Sequence, residues 1–427
     1  MSPQAGLSFD QAPPFALPLR FFLTAPLFLL AAAILIVSAP GALASRWSPP
    51  AFAVTHAVTL GFLAMVMLGA LMQMLPVVAG SKLPAPYAVA RTSHILLTLG
   101  TIALMAAFLT ARPAAFGVAA GLLAAAFLVF LAAAAISLAR AAPSMTVGGM
   151  RLAITSLVLT IGFGLLLALR RADRWEVATD GASAAHVAFG LLGWVLLLVI
   201  GVAYRVVPMF QITPPYPPRV TRWLVPALFA FLLLHAAAPF LPAIAGYLAG
   251  AGLATGILVF AITTLRLQTQ RRRKLPDITL DYWRFAMASL VAGVIVWLTA
   301  QLWPGLAAAR AYPPLLGTLF LGGFAVSVVS GMLYKIVPFL AWFHLQAQLQ
   351  ARAGTIPTMK EMIGERRMRW QFRLHLAACG FLAAATLSST PLPAIAGGLL
   401  LGASALLQWA NLLSAVQRFR GHGGRFV

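Results

Sequence analysis

The stretch "HAVTLGFLAMVMLGALMQMLPVVAG" occupies positions 56–80. It is almost wholly apolar, yet it opens on a histidine, carries Gly61 and Gly69, and closes through Gln73 and Pro76. A helix that only faces lipid needs none of these. The pattern returns twice, as Gly193, Gly201, Arg205 and Pro208, and as Gly323, Gly331, Lys335 and Pro338. All three sets share the spacing Gly-x7-Gly-x3-(Gln/Arg/Lys)-x2-Pro, and they lie 132 and 130 residues apart. Repetition at an equal period predicts a threefold internal architecture, with repeats centred on 50–80, 182–212 and 312–342.

Composition fixes the class. Of 427 residues 61% are hydrophobic and 9% charged, with a mean hydropathy of +0.93. So few polar groups could not cover a water-soluble body of this size. Apolar runs long enough to cross a bilayer core recur along the chain. Twelve spans are expected, near 19–40, 50–78, 93–111, 116–139, 152–169, 184–209, 223–242, 246–264, 285–303, 315–341, 371–388 and 394–416. The expectation is an all-α polytopic membrane protein, residues 1–427 forming one transmembrane domain of three four-helix repeats. The first run lacks an evident cleavage site and is read as a retained helix. The single cysteine, Cys379, excludes an internal disulfide and a thiolate metal cluster.

Charge sets the orientation. With the N-terminus inside, 24 of the 30 Lys and Arg fall on the cytoplasmic side. The other side holds Arg46, Arg112, Arg170, Arg171, Arg174 and Arg310, partly offset by Asp173, Glu176 and Asp180. The positive-inside rule then puts both termini in the cytoplasm of a bacterial-type inner membrane. The run "RRRK" at 271–274 reads as a topology signal beside anionic lipid, not as a nucleic-acid site.

Within the repeat, glycine admits a neighbouring helix or a flat ligand, and proline bends or closes the helix. Arg205 and Lys335 read either as interfacial anchors or as clamps for an anionic group such as a haem propionate. Tyr204 and Tyr334 fit either reading as interfacial aromatics. His94, His344 and His375 map to cytoplasmic ends of spans and His422 to the tail, where a histidine is ordinarily solvated. His56, His186 and His235 fall instead in the outer parts of spans 2, 6 and 7. Imidazoles at one depth are candidate metal or haem ligands; the plain alternative is three unrelated interfacial histidines. Met65 with Met72, and Met67 with Met74, share faces of span 2 and read as packing or as soft metal ligands.

Twelve spans in three repeats, with inner spans 2, 6 and 10 and outer-half histidines, resemble subunit I of the haem-copper oxidases. The local sequence is similar to the NnrS family of membrane proteins, through "LRFF" at 19–22, His56, Gly61-Phe62, Gly69, Pro76 and Gly80, and more weakly "HVAFGLLGW" with Arg205. The resemblance implies binding of haem (b type), with copper as a second metal, and handling of nitric oxide or metal-nitrosyl species under nitrosative stress or in denitrification. It implies His56 as first haem ligand, His186 and His235 as axial or second-site partners, and Arg205 and Lys335 as propionate clamps. Ala57 replaces the acid that follows the span-2 histidine in that family. Span 10 lacks histidine, and Gly190 stands where true oxidases carry a tyrosine four residues after His186, so oxygen reduction is not expected. All eight acids lie outside the confident spans, which tells against ion-coupled transport. An uncoupled carrier or channel, or a structural partner of a respiratory complex, is the alternative.

Overall fold

The computed structural model describes residues 13–173, 181–272, 274–349 and 356–426. Asp10, Arg174, Glu176, Asp180 and Arg273 lie outside them. Among the described residues eleven helices are long and apolar enough to cross a membrane. They are α1 (Ala16–Ser38), α2 (Pro49–Ala79), α3 (Pro86–Thr110), α4 (Pro113–Arg140), α5 (Met145–Arg171), α6 (Ala182–Gln211), α7 (Pro218–Phe240), α8 (Ala243–Thr269), α9 (Ile278–Leu302), α10 (Tyr312–Leu349) and α12 (Leu392–Gly421). The helix between the last two, α11 (Glu365–Leu387), is 23 residues long. Its first turns carry Glu365, Arg366, Arg367, Arg369 and Arg373, which keep it out of the apolar class.

Ends are set by local chemistry. The Ser48 and Ser144 hydroxyls accept from the Ala51 and Val147 amides, capping α2 and α5. The Asp277 carboxylate does the same for α9 through Thr279. Gly80 closes α2 at φ 64°, a conformation glycine adopts freely. Several helices outrun their apolar stretches. Tyr312–Leu349 is 38 residues against an expected 27, because its basic-end residues keep helical hydrogen bonding beyond the hydrocarbon. Pro76 and Pro208 stand within three residues of their helix ends, but α10 continues eleven residues past Pro338.

Three π-helical segments interrupt the α-helices: Ala57–Ala64 in α2, Phe189–Leu196 in α6 and Leu319–Val326 in α10. Each is eight residues long and starts four residues before the first glycine of its motif. Both glycines of each motif face one neighbour. Gly61 and Gly69 meet Phe28 and Phe21 of α1; Gly193 and Gly201 meet Ser156 and Gly149 of α5; Gly323 and Gly331 meet Ser289 and Tyr282 of α9. One approach is backbone to backbone, where a Cβ on Gly201 would stand 3.0 Å from the Gly149 Cα. These glycines admit helices, not ligands.

Neighbours follow the same rhythm. Helix α3 packs along α4, α7 along α8, and α11 along α12; then α4 meets α5, α8 meets α9, and α12 returns to α1. At their π segments α2 and α10 touch. The share of the apolar window buried is 83% for α2 and 67% for α6. For α10 it is 50%, no more than for α1 or α12, so α10 is not distinguished from them by burial.

Candidate functional site

His56 and His186 come together. His56 is the last residue of α2 before its π segment, and His186 lies three residues before that of α6. Their ring centroids are 6.2 Å apart with planes inclined by 22°. The His56 Nδ1 lies 2.8 Å from the Phe52 carbonyl oxygen, and the His186 Nδ1 2.9 Å from that of Thr160 on α5. A carbonyl only accepts, so Nδ1 carries the proton in both rings and each Nε2 is left with a lone pair. Metal-ligating histidines are held in this way, through the second ring nitrogen. Gly164 of α5 makes the room, since a Cβ there would sit 2.9 Å from the His186 Cε1.

Aromatic rings continue from the pair. Phe108 of α3 lies 5.2 Å from the His56 ring, and Phe52 a further 4.9 Å from Phe108. The Arg171 guanidinium sits over Phe52, Phe108 and Phe116, at 5.1, 5.5 and 5.8 Å. Three ring faces hold this cation beside the histidines by cation–π attraction. From the sequence Arg171 was only an outer-loop charge. Phe52, one turn before His56, was the legible half of the signal.

Other expected members lie elsewhere. His235 is exposed on α7, and among the described residues no three His, Cys, Asp or Glu side chains group as a metal cluster. His235 therefore does not complete a three-histidine set. Lys335 is ion-paired with Asp277 at 2.8 Å. Arg205 is half-buried on α6, nineteen residues beyond His186. At 1.5 Å per residue that is about 28 Å, much further than a haem ligated at His186 extends. Arg205 is thus too far away to clamp the propionates of such a haem, whereas Arg171 lies over Phe108, which stacks on His56.

The remaining histidines are not uniformly solvated. His94 bonds the Thr24 hydroxyl at 2.9 Å, His344 lies against Phe15, and exposed His422 bonds the Arg418 carbonyl. His375 departs furthest, at 2% exposed, with Nε2 2.7 Å from the Ser327 hydroxyl and 3.7 Å from the Cys379 sulfur.

Each ring thus keeps one nitrogen lone pair able to ligand a metal. Neutral imidazoles suit iron and copper alike. No family model matches the chain, and no curated protein matches it.

Proposed function

We propose that the chain is a haem-binding inner-membrane protein of NnrS type, with copper as a second metal, that handles nitric oxide at the His56–His186 pair. The observation that carries this reading is the pair itself, two imidazoles stacked with centroids 6.2 Å apart and both Nδ1 atoms anchored on carbonyls. Haem iron supplies a centre that binds nitric oxide. The protein's part is to fix both ring tautomers, to set Arg171 close by, and to keep the site among apolar rings. An anionic haem edge or a polar ligand would find its countercharge in Arg171.

In this reading all of α1–α12 cross the membrane with both termini cytoplasmic, in a pseudo-threefold ring like that of haem-copper oxidase subunit I. The equal offset of the three π segments supports it, as does the cyclic succession of neighbours that ends with α12 against α1.

The test is an absorption spectrum of protein produced with ample haem and copper, before and after dithionite. The expected result is a Soret band from at most one haem per chain, shifted by nitric oxide or carbon monoxide. His56→Ala and His186→Ala should each abolish the shift or lower haem content, and His422→Ala should leave both as they are. Protein that carries neither metal would leave the carrier or structural reading in its place.

A further inference from the structure

Side chains inside the last four-helix unit form a polar ladder that the histidine pair does not use. It begins at a cavity of about 150 Å³ at the basic end, lined by Gln211, Arg271, Asp277, Tyr334, Lys335 and Lys360 among others. The Tyr334 hydroxyl accepts from the Asn411 amide of α12 at 2.9 Å. One turn further in, Ser330 of α10 faces Gln408 of α12 at 3.5 Å. The next rung joins three helices. Tyr282 of α9 donates to the Gln371 carbonyl oxygen on α11, and the Gln371 amide donates to Ser404 of α12 at 2.8 Å. The last rung is Ser327 with His375, beside Cys379. From Tyr334 to Ser327 the ladder climbs seven residues, or about 10 Å.

Nothing in the fold requires this polarity. The positions of Ser327, Ser330 and Tyr334 relative to the first motif glycine are Met65, Leu68 and Met72 in α2, and Leu197, Ile200 and Tyr204 in α6. Apolar side chains fill five of these six slots; the sixth holds Tyr204, whose hydroxyl donates to the Val220 carbonyl at 3.3 Å. Polar groups buried in a bilayer protein either bond helices together or mark pathways for ions and protons. The ladder also has open valences. Gln408 Nε2 and Asn411 Oδ1 are buried without a protein partner, a donor and an acceptor one turn apart on α12. Such groups are ordinarily satisfied by internal water.

We infer that α9–α12 enclose a hydrated proton path that opens at the basic-end cavity and ends at His375 and Cys379. The hydroxyls of Tyr334, Ser330, Tyr282 and Ser327, linked by water at the Asn411 and Gln408 rungs, each accept one proton and release another. The net result is one proton moved, with no bond broken elsewhere and no change of oxidation state. The path stands independently of the metal reading.

Cys379 is the chain's only cysteine, so its S–H stretch is a single infrared band clear of other protein absorption. The intact protein in lipid nanodiscs is transferred to D₂O, and conversion of S–H to S–D is followed beside backbone amide exchange. The path requires conversion within minutes while the amides of α11 stay protected. Gln371→Leu and Tyr334→Phe, at separate rungs, should each slow it by about tenfold or more. Leu128→Ala, on the exposed face of α4, should not. Monodisperse elution and helix content show which variants are folded, and either folded variant suffices. An S–H band that persists for hours in the wild type overturns the inference. So does conversion as fast in the folded variant as in the wild type, or conversion no faster than the α11 amides.

Discussion

Gly164 makes the residue-scale case for the histidine pair. Its missing side chain leaves the His186 ring free to reach the Thr160 carbonyl; a Cβ would stand 2.9 Å from Cε1 and 3.2 Å from Nδ1. Gly164→Val should rotate the ring away and lower metal content severalfold without removing a ligand. Metal analysis with circular dichroism checks this, and unchanged metal in a folded variant would mean that the ring's orientation does not matter. The two histidines were legible because an imidazole in an apolar run is chemically conspicuous. Their carbonyl partners were not, since Thr160 lies twenty-six residues from His186 and a backbone oxygen leaves no mark in a sequence. His235 was equally conspicuous and yet faces outward, because residue type reports depth and not the azimuth around a helix.

At the scale of elements, the Gly-x7-Gly motif is a device for close helix contact. Gly149 and Gly201 are the stiffest case, with backbones touching and no side chain to yield. Gly201→Ala should cost about 1–3 kcal/mol, as overpacking does in a well-filled core. Thermal unfolding in detergent would show a lowered midpoint. Gly121→Ala, which meets nothing within 4 Å, should show none. A neutral Gly201→Ala would mean that α5 and α6 can separate cheaply. The glycine spacing was legible in the sequence, and so was its period. The π segments were not, because an extra residue per turn is chosen by how the neighbouring helix fits against that glycine and not by the apolar residues around it.

For the whole molecule, the basic residues make the decision. The ends of α6 and α8 and the starts of α9 and α11 meet at one cavity, where Ile212, Arg271, Asp277, Lys360 and Glu365 are neighbours. Arg271 and Lys360 thus reach the same end, while Arg171 lies at the other with Phe52 and Phe116. With that end inside, reporter fusions after Lys274 should read as cytoplasmic and fusions after Arg112 as periplasmic. The reverse would turn the histidine pair toward the cytoplasm. Asp277 shows how charge placement escapes a sequence reading. It was counted among acids outside the spans, yet it caps α9 and takes Lys335 as its partner.

The sequence by itself determined the solvent of this protein, its helical class, the period of its motif and the histidines that stand in apolar runs. All of these follow from composition and spacing along one chain, since an apolar run in lipid must satisfy its backbone internally and has a helix as its ready solution. Which histidines meet, which cation lies beside them and which buried polar groups join into a ladder were decided only by tertiary structure. Those outcomes depend on the rotation of each helix about its own axis, and that rotation is set by glycines, ring faces and backbone carbonyls on neighbouring helices. His375 is the clearest instance. Its place near the start of span 11 reads as a solvated end, and the packing of α9, α10 and α12 around α11 leaves it 2% exposed.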